Sequence, residues 1–462
     1  MSAASTSAIT GWGRANATRA ALHHVASRAE ITSLIGGEGN YIARGLGRAY
    51  GDAAQCAGGA VIDLTGLEEI IDFDTATGVV RCEAGCSLDT LSRFSVPRGW
   101  FIPVTPGTAY VTIGGAIAAD VHGKNHHREG SLGSYLREIV LLAPDGEHHC
   151  SRESEPDLFL ATIGGMGMTG VIVEATLSLM PIESAYISVD TERTGDIEAT
   201  MAALASGDSR YRYSVAWVDA TQRGRHLGRS VITSGDHTPA GALNEITRHS
   251  PLLYDPRQRL RVPYTPPSSL VTPTTQRAFN ELWFRRAPAQ REAELTRLNT
   301  FFYPLDMLGS WNRLYGPKGF TQYQFVVPFG HESLVRGAIE SLQRAGAPAS
   351  LVVLKRFGAG GPSPLSFPMP GWTLALDIPL GAPELAETLD DLDERIAEVG
   401  GRIYLAKDGR LRPELVGQMY PRLEEFRAVC RRVDPEGRIA SDLSRRIDLL
   451  GSKGHAEQRK RT

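Results

Sequence analysis

Three glycine-rich clusters in a fixed order, separated by short apolar runs, constrain this chain more than any other feature. The first is Ile42-Ala43-Arg44-Gly45-Leu46-Gly47-Arg48-Ala49-Tyr50-Gly51-Asp52. Glycine reaches positive φ and lets the backbone come close to a ligand. Consecutive N–H groups in such a turn form a concave anion site, to which Arg44 and Arg48 add charge. The spacing, G-x-G-x-x-x-G, is not that of the dinucleotide fingerprint, and no long amphipathic helix follows. The chain passes instead through Gly58-Gly59 into another strand. Taken alone, the loop reads equally well as an ordinary glycine-rich turn.

The second cluster runs from Pro106 to His127. Small residues dominate from Gly114 to Ala119, so a flat aromatic ligand can lie against the backbone. His122 and His126 have the i, i+4 spacing of a helical metal pair. Gly123 between them opposes a helix and Lys124 opposes a cation, so no metal is expected. His122 by itself reads as a hydrogen-bonded core residue or as a catalytic one. The third cluster is Gly164-Gly165-Met166-Gly167-Met168-Thr169-Gly170. Each cluster is weak alone; three in order are specific.

The runs between them have strand length and turn residues at their ends: Ala60–Leu64, Val79–Cys82 and Ile139–Leu142. From Val171 to Leu179 apolar and polar residues alternate, as in a strand with one buried face. Beyond Pro181 the pattern predicts helices over Glu292–Phe302, Leu334–Ala345, Pro383–Val399 and Pro421–Val433, with Gly400 and Gly401 ending the third. Pro263 to Pro273 reads as a long mobile loop, Arg402–Ala406 as a strand, and Ser452–Thr462 as a polar, disordered tail.

Composition narrows the class. A length of 462 residues leaves room for roughly two to four domains. A net charge of −3 without a basic stripe gives no reason to expect nucleic acid. Five cysteines without a Cys-x-x-Cys pair read as reduced thiols. The N-terminus does not read as a secretory signal, and no apolar run reaches the ~18 residues of a spanning helix. The expectation is a soluble protein, or one resting on a membrane surface.

Further candidates lie in the second half. Gln322, Gln324 and Val326 share one strand face, and two adjacent amides suit sugar hydroxyls; a solvated polar face reads as well. Phe301, Phe302, Tyr303, Trp311, Tyr315 and Phe320 are dense in a chain only 7% aromatic, and core packing explains most of them. Leu374, Leu376 and Ile378 share an apolar face, so Thr373, Ala375 and Asp377 look the other way. Lys407 follows Ile403 and Leu405 at period two. It reads either as a solvent lysine beside a turn or as a desolvated base. Lys355 reads as a surface lysine at a strand end or as a pocket lysine.

The clusters ARGLGRAYGD, PGT…VTIGGAIA…HGKNHH and GGMGMTG, in this order, resemble the vanillyl-alcohol-oxidase (PCMH-type) FAD superfamily. Within it, FYPLDMLGSWNRLYGPKGFTQYQF, FPMPGW and YLAKDGR are similar to the flavoenzyme family that oxidises decaprenylphosphoryl-β-D-ribose. The resemblance implies an α+β fold: an FAD domain over 1–186, an antiparallel-sheet-plus-helices substrate domain over 187–400, and a segment 401–462 returning to the FAD domain. It implies that FAD is held by Ala43, Arg44, Gly45, Leu46, Gly47, Arg48, Ala49, Tyr50, Gly51, Asp52, Gly107, Thr112, Ile113, Gly114, Gly115, Ala119, His122, Gly123, Gly167, Gly170 and Tyr404. Superfamily members often attach FAD through a histidine in the first loop or a later cysteine. Here Arg48-Ala49-Tyr50 and Ala119 stand in those regions, so non-covalent FAD is expected.

The resemblance assigns catalysis to Lys407, His122 and Tyr50, and substrate contacts to Trp217, Phe302, Gln322, Gln324, Lys355, Thr373, Ala375 and Lys124. Mycobacterial members typically carry cysteine at the position of Ala375, the thiol that nitroaromatic inhibitors trap. The implied reaction converts the ribose 2-hydroxyl of a lipid-linked sugar phosphate to a ketone, for a separate NADH-dependent short-chain reductase to complete the epimerisation. A flavin oxidase of free alditols or aldonolactones is the alternative. The expected location is cytoplasmic or peripheral to the membrane, with the periplasm left open.

Overall fold

The computed structural model describes residues 5–258 and 260–451. A four-stranded sheet near the N-terminus has the order Ser5–Thr10, Ala17–His24, Ala60–Asp63, Tyr41–Arg44. Its first pair is antiparallel and the other two are parallel. The turn into Ala60 needs glycine, because a Cβ on Gly59 would lie 2.5 Å from the Asn40 carbonyl oxygen. A second sheet, wholly antiparallel, has the order Ile70–Asp74, Val79–Glu83, Val171–Ser178, Leu136–Ala143, Gly146–Ser151. Along Val171–Ser178 the alternation holds from Val173 onward. Val173, Ala175 and Leu177 are buried, whereas Glu174, Thr176 and Ser178 are half-buried.

The largest sheet has eight strands in the order Gln290–Arg297, Tyr186–Thr194, Ser230–His237, Tyr213–Val218, Leu351–Phe357, Gly371–Pro379, Phe320–Pro328, Arg402–Ile403. All its pairings are antiparallel. Directly opposed residues share a face. One face carries Leu354, Leu374 and Phe325, all fully buried. The helices Ile197–Gly207 and Leu385–Glu398 pack against this sheet, and Ser333–Arg344 packs on the second of them. The other face carries Trp217, Val353, Ala375 and Gln324 in one row, and Lys355, Thr373 and Val326 in the next.

Helices Ser333–Arg344, Leu385–Glu398 and Leu423–Val433 lie where periodicity predicts them. Two expectations fail. Glu292–Phe302 is not a helix: Gln290–Arg297 is a strand and only Leu298–Phe302 is helical. The Tyr186–Thr194 strand offers a free ladder there, and that pairing overrides the local helix propensity of Glu, Ala and Leu. Its exposed charges suit an edge strand. The predicted strand Arg402–Ala406 also stops short, at Ile403, and the chain turns with the Lys407 N–H donating to the Tyr404 carbonyl at 2.9 Å. The stretch before Pro273 is irregular apart from a two-residue bridge at Leu260–Arg261; Pro273 then opens the helix Pro273–Arg286 behind the Thr272 cap. The tail Ser452–Thr462 lies outside the described residues.

The C-terminal stretch packs back on the first sheet. Ile439 bridges Tyr41, Asp442 accepts from Thr18 at 2.6 Å, and Arg446 pairs with Asp52 at 2.8 Å. Among the described residues, no helix is long and apolar enough to cross a membrane.

Candidate active site

The first glycine loop leaves the Tyr41–Arg44 strand and is shaped from below. The Arg44 guanidinium donates to the carbonyls of Thr10 (2.8 Å) and Ala54 (3.0 Å), so it holds the turn. Gly47 has φ +63°, and a Cβ there would lie 2.2 Å from Arg44 Nη2. A Cβ on Gly45 would lie 2.2 Å from Thr112 Oγ1, and one on Gly51 would lie 1.8 Å from the Asp408 carbonyl oxygen. Arg48 stacks on Trp12, 3.9 Å from the ring centroid. Asp52 is bound by Arg446. Ala43 and Ala49 are half-buried, and Leu46 is exposed.

The second cluster packs against this loop. Thr112 caps the short helix Ile113–Ala118, accepting from the Gly115 N–H at 3.2 Å. Gly114 sits against Ala84, and Gly123 against Thr105 and Asn125. Ile113 is fully buried, whereas Gly107 faces open space. In the third cluster, Gly167 and Gly170 take φ +80° and +144°. Tyr404 stacks on Phe367 and donates its hydroxyl to the Ala119 carbonyl at 2.8 Å.

This cradle fits a dinucleotide flavin. The backbone N–H groups of residues 45–49 find no acceptor among the described residues. A buried or half-buried donor left unpaired is costly, and a run of them suits a diphosphate. The small residues beyond leave room for a flat ring.

The chemistry-bearing side chains gather on the sheet face described above. The Gln324 amide nitrogen lies 3.0 Å from His122 Nε2 and 3.1 Å from Thr373 Oγ1. With that amide donating, the His122 proton sits on Nδ1, which is buried without a partner. The His122 ring packs among Phe357, Phe367 and Tyr404. Burial, then Lys355, pulls its pKa well below the usual value, so it is neutral. His126 turns to a different partner, the Gly358 N–H at 3.3 Å.

Lys407 reaches the same region from the turn. Its Nζ lies 3.9 Å from the centroid of the Tyr50 ring. Burial pushes its pKa down, and the nearby Asp377 carboxylate opposes that shift. Gln322 donates to Asp377 Oδ1, while Oδ2 is buried with no partner. A cavity bounded by Tyr50, Gly51, Phe320, Leu380, Lys407 and Arg410 adjoins the lysine. Burial lowers Lys355 to about 8. Lys124 is lowered to about 7 by burial and by Lys355; its Nζ donates to the Phe301 carbonyl at 2.5 Å. Both residues are half-buried and, among the described residues, no carboxylate pairs with either amine, and such a pair suits an anionic ligand.

Ala375 is half-buried on this face, opposite Gln324 and Val353. Trp217 meets Trp283 edge-on at 6.4 Å. Phe302 lies apart, in a small second core with Phe101 and Tyr213. Sequence reasoning did not single out Asp377 as a site residue, although its alternation with Thr373 and Ala375 was the available signal. It also missed Asp306, whose carboxylate accepts from Thr108 Oγ1 (2.7 Å) and the Ala109 N–H (2.8 Å).

The sequence profile of the FAD binding domain family matches residues 24–151, which contain the first two clusters. Fold and site define an FAD-dependent oxidoreductase. Decaprenylphosphoryl-β-D-ribose oxidase of Mycolicibacterium smegmatis is 42% identical over 454 residues, 96% of this chain and 98% of that protein. The chain belongs to the decaprenylphosphoryl-β-D-ribose oxidase family. An uncharacterised protein from the mprA 5′ region of Streptomyces coelicolor is 39% identical over 372 residues, 79% of this chain and 100% of that one. L-gulono-1,4-lactone dehydrogenase of Mycobacterium tuberculosis is 32% identical over 138 residues, 30% of this chain and 31% of that one.

Proposed function

We propose that this enzyme oxidises the ribose 2-hydroxyl of a polyprenylphosphoryl-β-D-ribose to the 2-keto sugar. The observation that carries this reading is the half-buried Lys407 amine, set beside Tyr50 and Asp377 and facing a sheet face lined by amides. When bound, FAD would supply the two-electron acceptor for the hydride from C2. Lys407 Nζ takes the hydroxyl proton as the carbonyl forms. The depressed pKa keeps a usable fraction of that amine neutral near neutral pH. The adjoining cavity lets the proton leave Nζ for water. Gln322 and Gln324 hold the sugar hydroxyls, and neutral His122, fixed by Gln324, orients the 2-hydroxyl. Lys355 and Lys124 hold the phosphate; Trp217, Thr373 and Ala375 shape the pocket.

On this reading residues 1–186 and 401–462 form the cofactor domain and 187–400 the substrate domain. FAD is held without a covalent bond by the N–H run at residues 45–49, the Thr112–Gly115 turn and Tyr404. A separate NADH-dependent reductase completes the epimerisation. Anaerobic addition of the lipid-linked ribose should bleach the oxidised-flavin absorbance. Bleaching by free alditols or aldonolactones, with none by the lipid-linked ribose, would overturn the proposal.

A further inference from the structure

Among the described residues eleven large apolar side chains are exposed, and six of them fall between Leu260 and Trp283. Single exposed apolar residues are ordinary; here they are concentrated in one segment, and two of them, Phe279 and Trp283, stack on each other. The helix Pro273–Arg286 is inside out. Its buried residues are Gln276 and Asn280, while Phe279, Leu282 and Trp283 are 56%, 66% and 47% exposed.

This inversion is held in place. Asn280 donates to Asp219 at 2.9 Å, and Glu281 pairs with Arg229 at 2.6 Å. Arg229 also pairs with Asp219 at 2.9 Å and covers the Phe284 ring at 4.3 Å. The polar side is therefore bolted to the large sheet and the apolar side faces out. The outer surface also leads inward. Phe279 stacks on Trp283, and Trp283 meets Trp217, which stands in the row with Ala375 and Gln324.

The charge of this segment is one-sided. Residues 256–286 hold six arginines and one acidic residue, in a chain of net charge −3. That acidic residue, Glu281, is already paired with Arg229 and Arg285. A second copy docking face to face would set arginine against arginine.

We propose that the helix Pro273–Arg286 and the segment from Leu260 leading into it seat the enzyme on a bilayer bearing anionic headgroups. Apolar side chains enter the interface and arginines lie at headgroup level. The idea rests on the lipid-linked substrate proposed above: the donor resides in the bilayer, and the Phe279–Trp283–Trp217 track leads from it to the pocket.

The test is co-sedimentation of the holoenzyme with vesicles of phosphatidylcholine plus phosphatidylglycerol, and of phosphatidylcholine alone. The enzyme should prefer the anionic vesicles, and salt should weaken that preference. Leu270→Ser/Leu282→Ser should bind at least about tenfold more weakly, since each leucine removed from an apolar phase costs ~1.5–3 kcal/mol and ~1.4 kcal/mol is tenfold. Arg277→Gln/Arg286→Gln should lose the preference for the anionic lipid. Flavin content and circular dichroism should match wild type in both variants, because these side chains are exposed. Wild-type protein that stays in the supernatant, or variants that bind as well as wild type, would overturn the proposal. So would a solution dimer that Leu270→Ser/Leu282→Ser splits, since the face would then join two copies. Flavin reduction by a water-soluble, short-chain ribosyl phosphate donor separates the two readings. It should proceed equally in wild type and in Leu270→Ser/Leu282→Ser; failure in both would sink the proposed reaction and leave the vesicle result standing.

Discussion

The Lys407 amine stands over the Tyr50 ring, 3.9 Å from its centroid, and the Tyr50 N–H donates to the Ala406 carbonyl at 3.0 Å. The glycine loop and the turn that carries the proposed base thus brace each other. Lys407→Met removes the amine and keeps the chain's length. The N–H run that would hold the diphosphate lies elsewhere, at residues 45–49, so FAD should remain bound. Flavin reduction by substrate should fall by about 10²–10⁴, the usual cost of losing an acid–base group. Stopped-flow bleaching at the wild-type rate would remove Lys407 from the role.

Asp377 sets the pH at which that base works. Burial lowers the Lys407 pKa from the ordinary 10.5, and Asp377 raises it back in part. Flavin reduction should therefore rise with pH as Nζ loses its proton, with an inflection well below 10.5. Asp377→Asn removes the group that favours the ammonium, so the inflection should move to lower pH. No movement, or movement upward, would mean the two groups do not communicate.

Two histidines, buried His126 and half-buried His237 with its Nδ1 covered, predict acid sensitivity. Burial lowers both His126 and His237 to about 3. Each is neutral in the fold, whereas in the unfolded chain it protonates near ~6.5. The unfolded state thus binds protons first as pH falls. The stability each contributes is complete above about 6.5 and is lost progressively toward the folded value. The Tm should drop between about pH 6.5 and 4, and His237→Gln should make that drop shallower. An identical slope in the variant would show that His237 is not held neutral.

The resemblance puts Arg48, Ala49, Tyr50 and Ala119 in the regions where other superfamily members carry a tethering histidine or cysteine, so heat or acid should release intact FAD. A flavin-fluorescent polypeptide band after denaturing electrophoresis would contradict this.

The glycine clusters were legible because their need for glycine is local. Gly47, Gly167 and Gly170 take positive φ, and Gly45 and Gly51 admit no side chain. The segment Glu292–Phe302 was misread because its strand exists only through Tyr186–Thr194, a partner that local propensity does not reveal. For Lys407 the period-two pattern leaves a solvent lysine and a desolvated base both open, and only the resemblance points to catalysis; the period itself does not hold, since the strand ends at Ile403. A turn, not a strand, brings it inward. The Asp377–Gln322 contact depends on cross-strand register, which no single segment encodes.

Ala375 offers the sharpest test of how the large sheet meets the cofactor. Register places it opposite Gln324 and Val353, between Thr373 and Asp377, on the face that carries the proposed site. Its methyl group is half-buried, so a thiol there would be reachable from the pocket. A nitroaromatic compound bound against reduced flavin takes up two electrons and two protons, loses water and becomes a nitroso compound, to which a thiol adds. Alanine has no nucleophile, and no step of the proposed sugar oxidation requires one at this position. The wild-type protein should therefore oxidise its substrate and bind such compounds only reversibly. Ala375→Cys should keep the oxidation and gain a stoichiometric covalent adduct during turnover. Intact-protein mass spectrometry reads both results. An adduct on wild type, or none on an active Ala375→Cys variant, would show that this strand face does not border the flavin.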